Sequence, residues 1–285
     1  MSEDNSDQTV AKTAAEVREN ENRDENINNN SAEIRETSAE KIREVGAPDI
    51  KKLFEAGAHF GHKAARWNPK MAPFIHSKRG DSHIINLEKT VEQLAKALPF
   101  LTETAAKGKQ ILFVGTKKQA REIVREAADS VAMPYVCERW LGGMLTNAAT
   151  MNSQIKKLKL LEKKMDSGEL ANRYNKLEVQ RFQEEIDALN AKYGGVKELR
   201  GKPGALFVLD AVSDAGAVRE AVKLGLPVVA ICDSNADPTG IEYVVPANDD
   251  AIATLQLITD YVVAAVREGA AKVAKKENSD KNSEK

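Results

Sequence analysis

The sequence predicts an α/β fold built on a parallel sheet, with one helical segment inserted into it. Between residues 111 and 268, short apolar runs rich in valine and isoleucine alternate with amphipathic stretches. This alternation indicates βαβ units, because parallel strands need a long crossover connection that is usually a helix. A chain of 285 residues, 42% of them hydrophobic, is long enough to bury such a sheet.

Five strands are predicted from apolar runs bounded by turn-forming residues. They cover Ile111–Gly115, Tyr135–Glu138, Ala205–Asp210, Val228–Asp233 and Tyr243–Val245. Helices are predicted at residues 117–130, 215–224 and 250–268. An extended segment at His83–Leu87 leads into a further helix that reaches about Lys107, and Pro99 is expected to interrupt it.

Residues 147–194 contain no strand-like run and have helical periodicity instead. In the first half, apolar residues recur every three or four positions, at Met151, Ile155, Leu158, Leu161 and Met165. One narrow apolar stripe per helix is typical of an antiparallel hairpin that packs on itself. Two amphipathic helices lying on the sheet are the alternative. We favour a projecting arm, because the segment interrupts an otherwise regular alternation.

The two ends of the chain differ in composition from the rest. Residues 1–48 hold twelve acidic and six basic side chains and no aromatic residue, so we expect them to be disordered. The expected organisation is an acidic extension at 1–48, an α/β core at 49–146 and 195–271, a helical hairpin insertion at 147–194 and a disordered tail at 272–285.

The net charge of −1 conceals a basic folded region. Without the −6 of residues 1–48, residues 49–285 carry +5. A basic region of this kind is compatible with a nucleic-acid partner.

The sequence indicates a cytoplasmic protein. Cys137 and Cys232 lie far apart in apolar runs, where buried reduced thiols are expected. No apolar stretch approaches the length of about 20 residues that a bilayer span needs. The polar, acidic start of the chain is unlike a signal peptide, and no membrane partner is predicted.

The strongest charge asymmetry lies in residues 51–79, which contain seven cations and one acid, Glu55. Four aromatic rings are interleaved with these cations: Phe54, Phe60, Trp67 and Phe74. A loop of this composition suits phosphate neutralisation and stacking on unpaired bases of RNA. A solvated loop with its rings in the core is the alternative. The residues predicted to bind RNA here are Lys63, Arg66, Trp67, Asn68, Lys70, Lys78 and Arg79.

His59 and His62 form a His-x-x-His pair in the same segment. Two imidazoles three residues apart can share an ion, but zinc usually takes four ligands. No cysteine is near in sequence, and His76 and His83 are loosely spaced. We therefore predict no metal site.

Two segments that follow strands are further candidates for RNA contact. Gly115–Lys118 is predicted to open a helix, where two lysines oppose the helix dipole unless an anion is bound. Hydrated surface lysines are the alternative. Arg139 and Trp140 begin a glycine-containing loop that leads to the hairpin, although Trp140 could equally anchor in the core. Lys117, Lys118 and Arg139 thus complete the predicted RNA-binding residues.

Catalysis is the competing hypothesis. Asp210 and Asp233 each end a predicted strand, where doubly wound folds bind ligands. However, the sequence has no Gly-x-Gly-x-x-Gly motif, no P-loop and no recognisable catalytic set. We predict neither an enzyme nor a cofactor or small-molecule substrate. Saturable binding of a small ligand would favour an enzyme, whereas co-sedimentation with RNA would favour an RNA-binding protein.

Several motifs resemble those of the S-two family of small-subunit ribosomal proteins. The similar segments run in unbroken order from about Ile50 to Glu268. They are Gly57–His62, Arg66–Met71, Phe113–Ala120, Arg139–Asn147, Leu226–Ile231 and Pro246–Ala251. The helical insertion resembles the bacterial branch of the family.

The resemblance implies a flavodoxin-like, doubly wound parallel sheet with a protruding antiparallel coiled-coil hairpin. It implies a non-catalytic constituent of the small ribosomal subunit at its head–body junction, in contact with small-subunit rRNA. Neighbouring ribosomal proteins are implied partners, including the large multi-OB protein (S-one) that captures mRNA. Two departures from the family pattern are the long acidic extension and the segment Asp210–Asp214, which lacks the usual proline and charges.

Overall fold

The structure, a computed structural model, describes the backbone of residues 47–283 and the side chains of residues 47–170 and 172–273. Apart from its last two positions, the predicted acidic extension at 1–48 lies outside these residues.

The described chain begins with a helix and a small antiparallel sheet. Helix α1 (Ile50–Glu55) precedes three strands, which are β1 (Phe60–Lys63), β2 (Ile75–Arg79) and β3 (Ser82–Ile85), in the order β1-β3-β2. Short 3-10 turns at Ala64–Arg66 and Pro69–Phe74 join β1 to β2. The prediction of a loop for residues 51–79 is therefore wrong. Four of the five residues of β2 are exposed, so the strand lacks the alternating apolar pattern that identifies strands in a sequence.

A five-stranded parallel sheet forms the centre of the fold. Its strands are β4 (Ile111–Val114), β5 (Tyr135–Val136), β6 (Ala205–Val208), β7 (Val228–Cys232) and β8 (Tyr243–Pro246). Their order is β5-β4-β6-β7-β8, so the chain adds strands on one side of β4 and then on the other. This order is consistent with a flavodoxin-like fold, and the predicted parallel α/β architecture is confirmed.

Helices cover both faces of this sheet. They are α2 (Leu87–Ala106), α3 (Arg121–Ser130), α4 (Ala148–Asp166), α5 (Glu169–Arg173), α6 (Lys176–Tyr193), α7 (Ala215–Lys223) and α8 (Ile252–Ser283). On one face, Leu112 and Leu206 pack with Val218 of α7 in the main apolar cluster. The intervening residues Phe113 and Phe207 point to the other face, where their rings meet edge to face at 5.5 Å.

Two helices differ from the prediction. Helix α2 continues through Pro99 without interruption. Contacts along its length hold it to α8, including the hydroxyl of Thr102, which donates to the carbonyl of Ala265 at 3.1 Å. Helix α8 extends to Ser283, so most of the predicted tail continues the helix.

The insertion is helical, as predicted, but its base belongs to the core. Met151 of α4 lies in the main apolar cluster, and Ile155 and Tyr193 pack against that cluster. Lys157 pairs with Glu185, and Glu162 accepts from the amide of Asn190 at 2.8 Å and pairs with Lys197, after α6, at 2.6 Å. From the first pair to the second, the residue number rises by five on both helices, whereas in an antiparallel seam it would rise on one helix and fall on the other. These contacts therefore describe a crossing of α4 and α6.

Candidate nucleic-acid interface

Exposed cations converge at one end of the small sheet. Lys63 of β1 and Arg79 of β2 both pair with Ser82 of β3, one from each side. Residues directly opposite in a sheet share a face, with Cβ atoms about 5 Å apart, so the two cations flank Ser82. Arg66, in the turn after β1, is exposed as well. Among the described residues, no carboxylate forms an ion pair with any of the three.

Lys70 and Asn68 lie in a different environment from these cations. The ammonium of Lys70 is 3.1 Å from the carboxylate of Asp237 and donates to the hydroxyl of Thr239 at 2.6 Å. Hydrogen bonds from Thr239 and then from Lys70 lower the pKa of Asp237 to about 2. The side chain of Asn68 accepts from the amide of Lys70 at 3.0 Å and caps the turn. Glu55 is the only acid within residues 51–79, but Asp237 approaches Lys70 from the far end of the chain.

Trp67 combines a packed ring with an accessible surface. Its ring centroid is 5.0 Å from that of the buried His83, and 37% of the residue is exposed. The packing against His83 fixes the orientation of the indole. A partly exposed ring of fixed orientation beside free cations is suited to stacking on a base.

Lys117 is neutralised within the protein. Its ammonium lies 2.8 Å from Asp249, 2.7 Å from Asp250 and 3.5 Å from Asp210. Burial opposes the charge, but these carboxylates outweigh it and raise the pKa of Lys117. The prediction that two lysines open the helix is wrong, since α3 begins only at Arg121. Lys118 is exposed and stays a candidate, whereas the three carboxylates remove the electrostatic reason to assign phosphate to Lys117.

The carboxyl edge of the parallel sheet, where doubly wound folds bind ligands, is bridged by the protein's own side chains. The amide and hydroxyl of Thr116, after β4, donate to Asp214, after β6, at 3.0 and 2.9 Å. Burial raises the pKa of Asp214 to about 6. Burial and then the nearby charge of Asp210 raise the pKa of Asp249 to about 7. A Cβ atom at Gly115 would lie 2.6 Å from Val124, so the backbone is tightly packed as well. Between β4 and β6 this edge carries an internal polar network in place of an open cleft.

One group of side chains at this edge has the donors of a cation site. His62, Asp233 and Asp249 offer ligand atoms that all lie within 4.8 Å of one another. Nδ1 of His62 is 2.9 Å from Asp233, and the hydrogen bond to Asp233 raises the pKa of His62 despite its partial burial. One imidazole and two carboxylates suit zinc. The His-x-x-His spacing in the sequence paired His62 with His59, whose ring stacks on Phe54 at 4.3 Å, and no metal site was predicted from it.

The Arg139–Asn147 loop follows β5 and presents one exposed cation. The side chain of Arg139 is exposed, and no described carboxylate pairs with it. Trp140 packs against the main apolar cluster, and its indole N–H donates to Glu220 at 3.1 Å. Of the two roles considered for Trp140, the structure supports the core anchor.

Comparison with known proteins decides the family. The sequence profile of the family described as Ribosomal protein S2 matches residues 53–269. The chain belongs to the ribosomal protein S2 family. Similar relatives are the proteins named small ribosomal subunit protein uS2 of Chloroflexus aggregans (strain MD-66 / DSM 9485) and Coprothermobacter proteolyticus (strain ATCC 35245 / DSM 5265 / OCM 4 / BT). They are 50% and 46% identical over 220 residues, which cover 77% of this chain and 92% and 82% of theirs.

Membership of the S2 family fixes the general function. The chain is a structural constituent of the small ribosomal subunit, acts in translation and is not an enzyme. Its partners are rRNA and other ribosomal proteins. Within residues 47–283, no helix combines the length and the apolar character that crossing a membrane requires.

Sequence reasoning missed features of this S2-family chain that depend on distant residues. The Lys70–Asp237 pair joins positions 167 residues apart, and the contact between His62 and Asp233 spans 171. No local pattern in the sequence identifies such partners. The aromatic cluster of Phe54, His59 and Phe60 is local by contrast, and the His59 ring lies 4.3 Å from Phe54 and 4.0 Å from Phe60.

Proposed function

We propose that this S2-family chain holds small-subunit rRNA through a basic face, the name given to the exposed end of the small sheet that carries Lys63, Arg66, Trp67, Lys78 and Arg79. Lys63 and Arg79 lie on one side of this end, and Lys78, which pairs with His83, lies on the other. The observation that carries the proposal is the pair of exposed cations, Lys63 and Arg79, on either side of Ser82. Unpaired cations gain free energy when phosphates replace their counterions. Lys118 and Arg139 are proposed as additional contacts, and Asn68 and Lys70 as residues that shape the adjoining turn.

The basic face also has the ring that recognition of unpaired bases requires. Single-stranded RNA is bound by proteins that combine cations along the backbone with rings on which bases stack. Trp67 follows Arg66 directly and retains 37% of its exposure. The backbone of Asn68 donates to the carbonyl of Ser234 at 2.8 Å, which fixes this turn to the parallel core.

The Trp67→Ala variant tests this assignment. We expect its affinity for a small-subunit rRNA fragment to fall by about 1–3 kcal/mol, the usual contribution of one base–ring stack. The dependence of affinity on salt should change little, because no charge is removed. Phe54→Ala is the control, since it removes a more exposed ring, at 59% against 37% for Trp67, outside the basic face. Equal losses in the two variants, or no loss in either, would rule out stacking at Trp67.

We further propose that the large multi-OB mRNA-binding protein contacts the exposed rings of Phe54 and Phe60. These side chains are 59% and 54% exposed, which is unusual for phenylalanine outside an interface. The amide of Asn248, next to Asp249 and Asp250, donates to the carbonyl of Ala58 at 3.1 Å, so acids lie nearby. Carboxylates repel phosphate, and this favours a protein over RNA at the aromatic cluster.

The remaining proposals concern domain organisation. We propose an acidic extension at 1–48, a core at 49–146 and 195–271, and an insertion at 147–194 whose outer part, beyond the crossing of α4 and α6, projects as a short antiparallel coiled coil. The capping box at Asn175 and Glu178 supports an independent start for α6. The crossing pairs of α4 and α6 argue that any coiled-coil contact is short.

Two deletions of different length should show how much the outer part of the insertion and its base each contribute to stability. Replacing residues 159–184 with a short Gly/Ser linker should leave cooperative unfolding, because Lys157 and Glu185 already meet and Met151 is retained. Replacing residues 147–194 removes Met151, Ile155 and Tyr193 from the apolar cluster. It should lower the free energy of unfolding several times more than the shorter replacement does, at about 2–5 kcal/mol for each large buried side chain. Thermal unfolding followed by circular dichroism compares them. Loss of cooperativity in the shorter deletion would place the outer helices in the core.

A further inference from the structure

One carboxylate lies at the centre of the Arg139–Asn147 loop. Oε1 of Glu220, on α7, accepts from the indole N–H of Trp140 at 3.1 Å and from the amide of Gly143 at 2.7 Å. Oε2 accepts from the amides of Leu145 and Thr146 at 3.0 and 3.1 Å and from the hydroxyl of Thr146 at 3.2 Å. Five donors from one loop thus converge on a side chain that is 74–80 residues away in sequence.

These bonds replace the secondary structure that the loop lacks. Inside the loop, the backbone–backbone hydrogen bonds are those donated by the amides of Met144 and Asn147, at 3.1 and 2.8 Å. Amides in a half-buried loop need acceptors, and a charged acceptor gives shorter and stronger bonds than a neutral one. Burial alone would raise the pKa of Glu220, but the hydrogen bonds donated by the amides of Gly143, Leu145 and Thr146 and by the Trp140 indole outweigh it and lower the pKa. The carboxylate is therefore ionised at neutral pH, as this role requires.

The start of the loop is held independently. The guanidinium of Arg121 contacts the carboxylate of Glu138 at 2.9 Å and its carbonyl at 3.3 Å. A Cβ atom at Gly216 would lie 3.2 Å from the indole of Trp140, so the loop packs directly against α7. Arg139 lies between these two anchors, exposed and without a described carboxylate partner.

We infer that Glu220 is a positioning residue for rRNA binding, which holds the loop so that Arg139 points outward to a phosphate. The inference rests on the proposed function, because it takes Arg139 as an RNA contact. The loop donors engage both carboxylate oxygens of Glu220, so that the carboxylate does not pair with Arg139 and leaves its guanidinium available to a phosphate. Glu220 itself does not touch RNA.

A double-mutant cycle tests the inference. We expect Arg139→Gln to weaken binding of the full chain to a small-subunit rRNA fragment roughly 3- to 10-fold, as loss of one phosphate contact. Glu220→Gln keeps the size of the side chain but turns an amide group towards backbone donors, and should weaken binding by a similar factor. The double variant should bind no more weakly than either single variant, because both changes remove the same contact. Faster hydrogen exchange at Gly143, Leu145 and Thr146 should accompany Glu220→Gln.

Other outcomes overturn the inference. If Glu220→Gln lowers the melting temperature but leaves affinity unchanged, or if the two losses multiply in the double variant, Glu220 is merely structural. Should Glu220→Gln fail to fold, Glu220→Asp keeps the charge with a shorter reach, and an affinity equal to wild type would overturn positioning. If Arg139→Gln has no effect while changes in the basic face do, this inference fails and the proposed function stands. If neither has an effect, the proposed function fails.

Discussion

The Lys63→Gln/Arg66→Gln/Arg79→Gln variant is expected to bind a small-subunit rRNA fragment with a salt dependence reduced by about 2–3 units in the slope of log affinity against log salt. Each cation that contacts a phosphate releases roughly 0.7–0.9 of a condensed counterion, and three are removed. The three side chains are exposed and lack described ion-pair partners, so the fold should change little. Equilibrium binding over a salt series measures the slope.

Two control variants make this result specific. Lys96→Gln/Lys107→Gln/Lys272→Gln removes three positive charges from helix surfaces where each is paired with a glutamate. It should change the slope much less, although net charge falls equally. Lys70→Gln alone should also have little effect, because Asp237 already neutralises Lys70. An unchanged slope in the first triple variant would place the RNA surface elsewhere, at Lys118 and Arg139.

Replacing Lys117 with methionine should lower the free energy of unfolding by about 3 kcal/mol at neutral pH. Breaking a buried ion pair typically costs 3–5 kcal/mol, because the partner charges stay buried. We expect the lower end, since 18% of the Lys117 side chain is exposed. The pKa of Asp249 is already raised to about 7 with Lys117 present. A carboxyl group with a raised pKa binds a proton more tightly in the folded state, so the loss should shrink as the pH falls below 7.

Denaturant unfolding at neutral and mildly acidic pH provides this measurement. Lys107→Met is the matched control, because Lys107 pairs with Glu103 on the exposed surface of α2 and should contribute little. The folded Lys117→Met protein should bind rRNA with the wild-type salt slope. A stable variant with a reduced slope would show that Lys117 faces phosphate in the complex and that its carboxylate partners release it.

The parallel sheet was predictable because each of its strands is a buried run that the sequence displays directly. Residues 111–114 and 205–208 are buried at every position, so a short apolar run marks the strand without any alternation. The predicted strands end too late in the sequence, at Gly115 and Asp210. Residues that follow a strand can still form hydrogen bonds across the sheet, so in the sequence they look like part of the strand. The small sheet was missed for the opposite reason, since β2 is exposed on both faces.

The cations of the interface were predictable as a group but not individually. Local composition distinguishes residues 51–79 from the rest of the chain, and the basic face lies within them. Which lysine is free depends on acids from elsewhere, and neither Asp237 beside Lys70 nor Asp249 beside Lys117 is near in sequence. Glu220 is likewise one acid among many until the fold brings it to the Arg139–Asn147 loop.

The side-chain bridges across the carboxyl edge of the sheet also occupy the place where related folds bind nucleotides. Many sheets with this strand order bind nucleotides at the switch between their first and third strands, which here are β4 and β6. In this chain Thr116 is bonded to Asp214 across that gap, and Lys117 lies close to Asp210 and Asp249. Abundant free ATP and GTP would have to break these contacts before entering. The chain thus uses a fold that binds nucleotides in other proteins as a support whose edge between β4 and β6 is bridged by its own side chains.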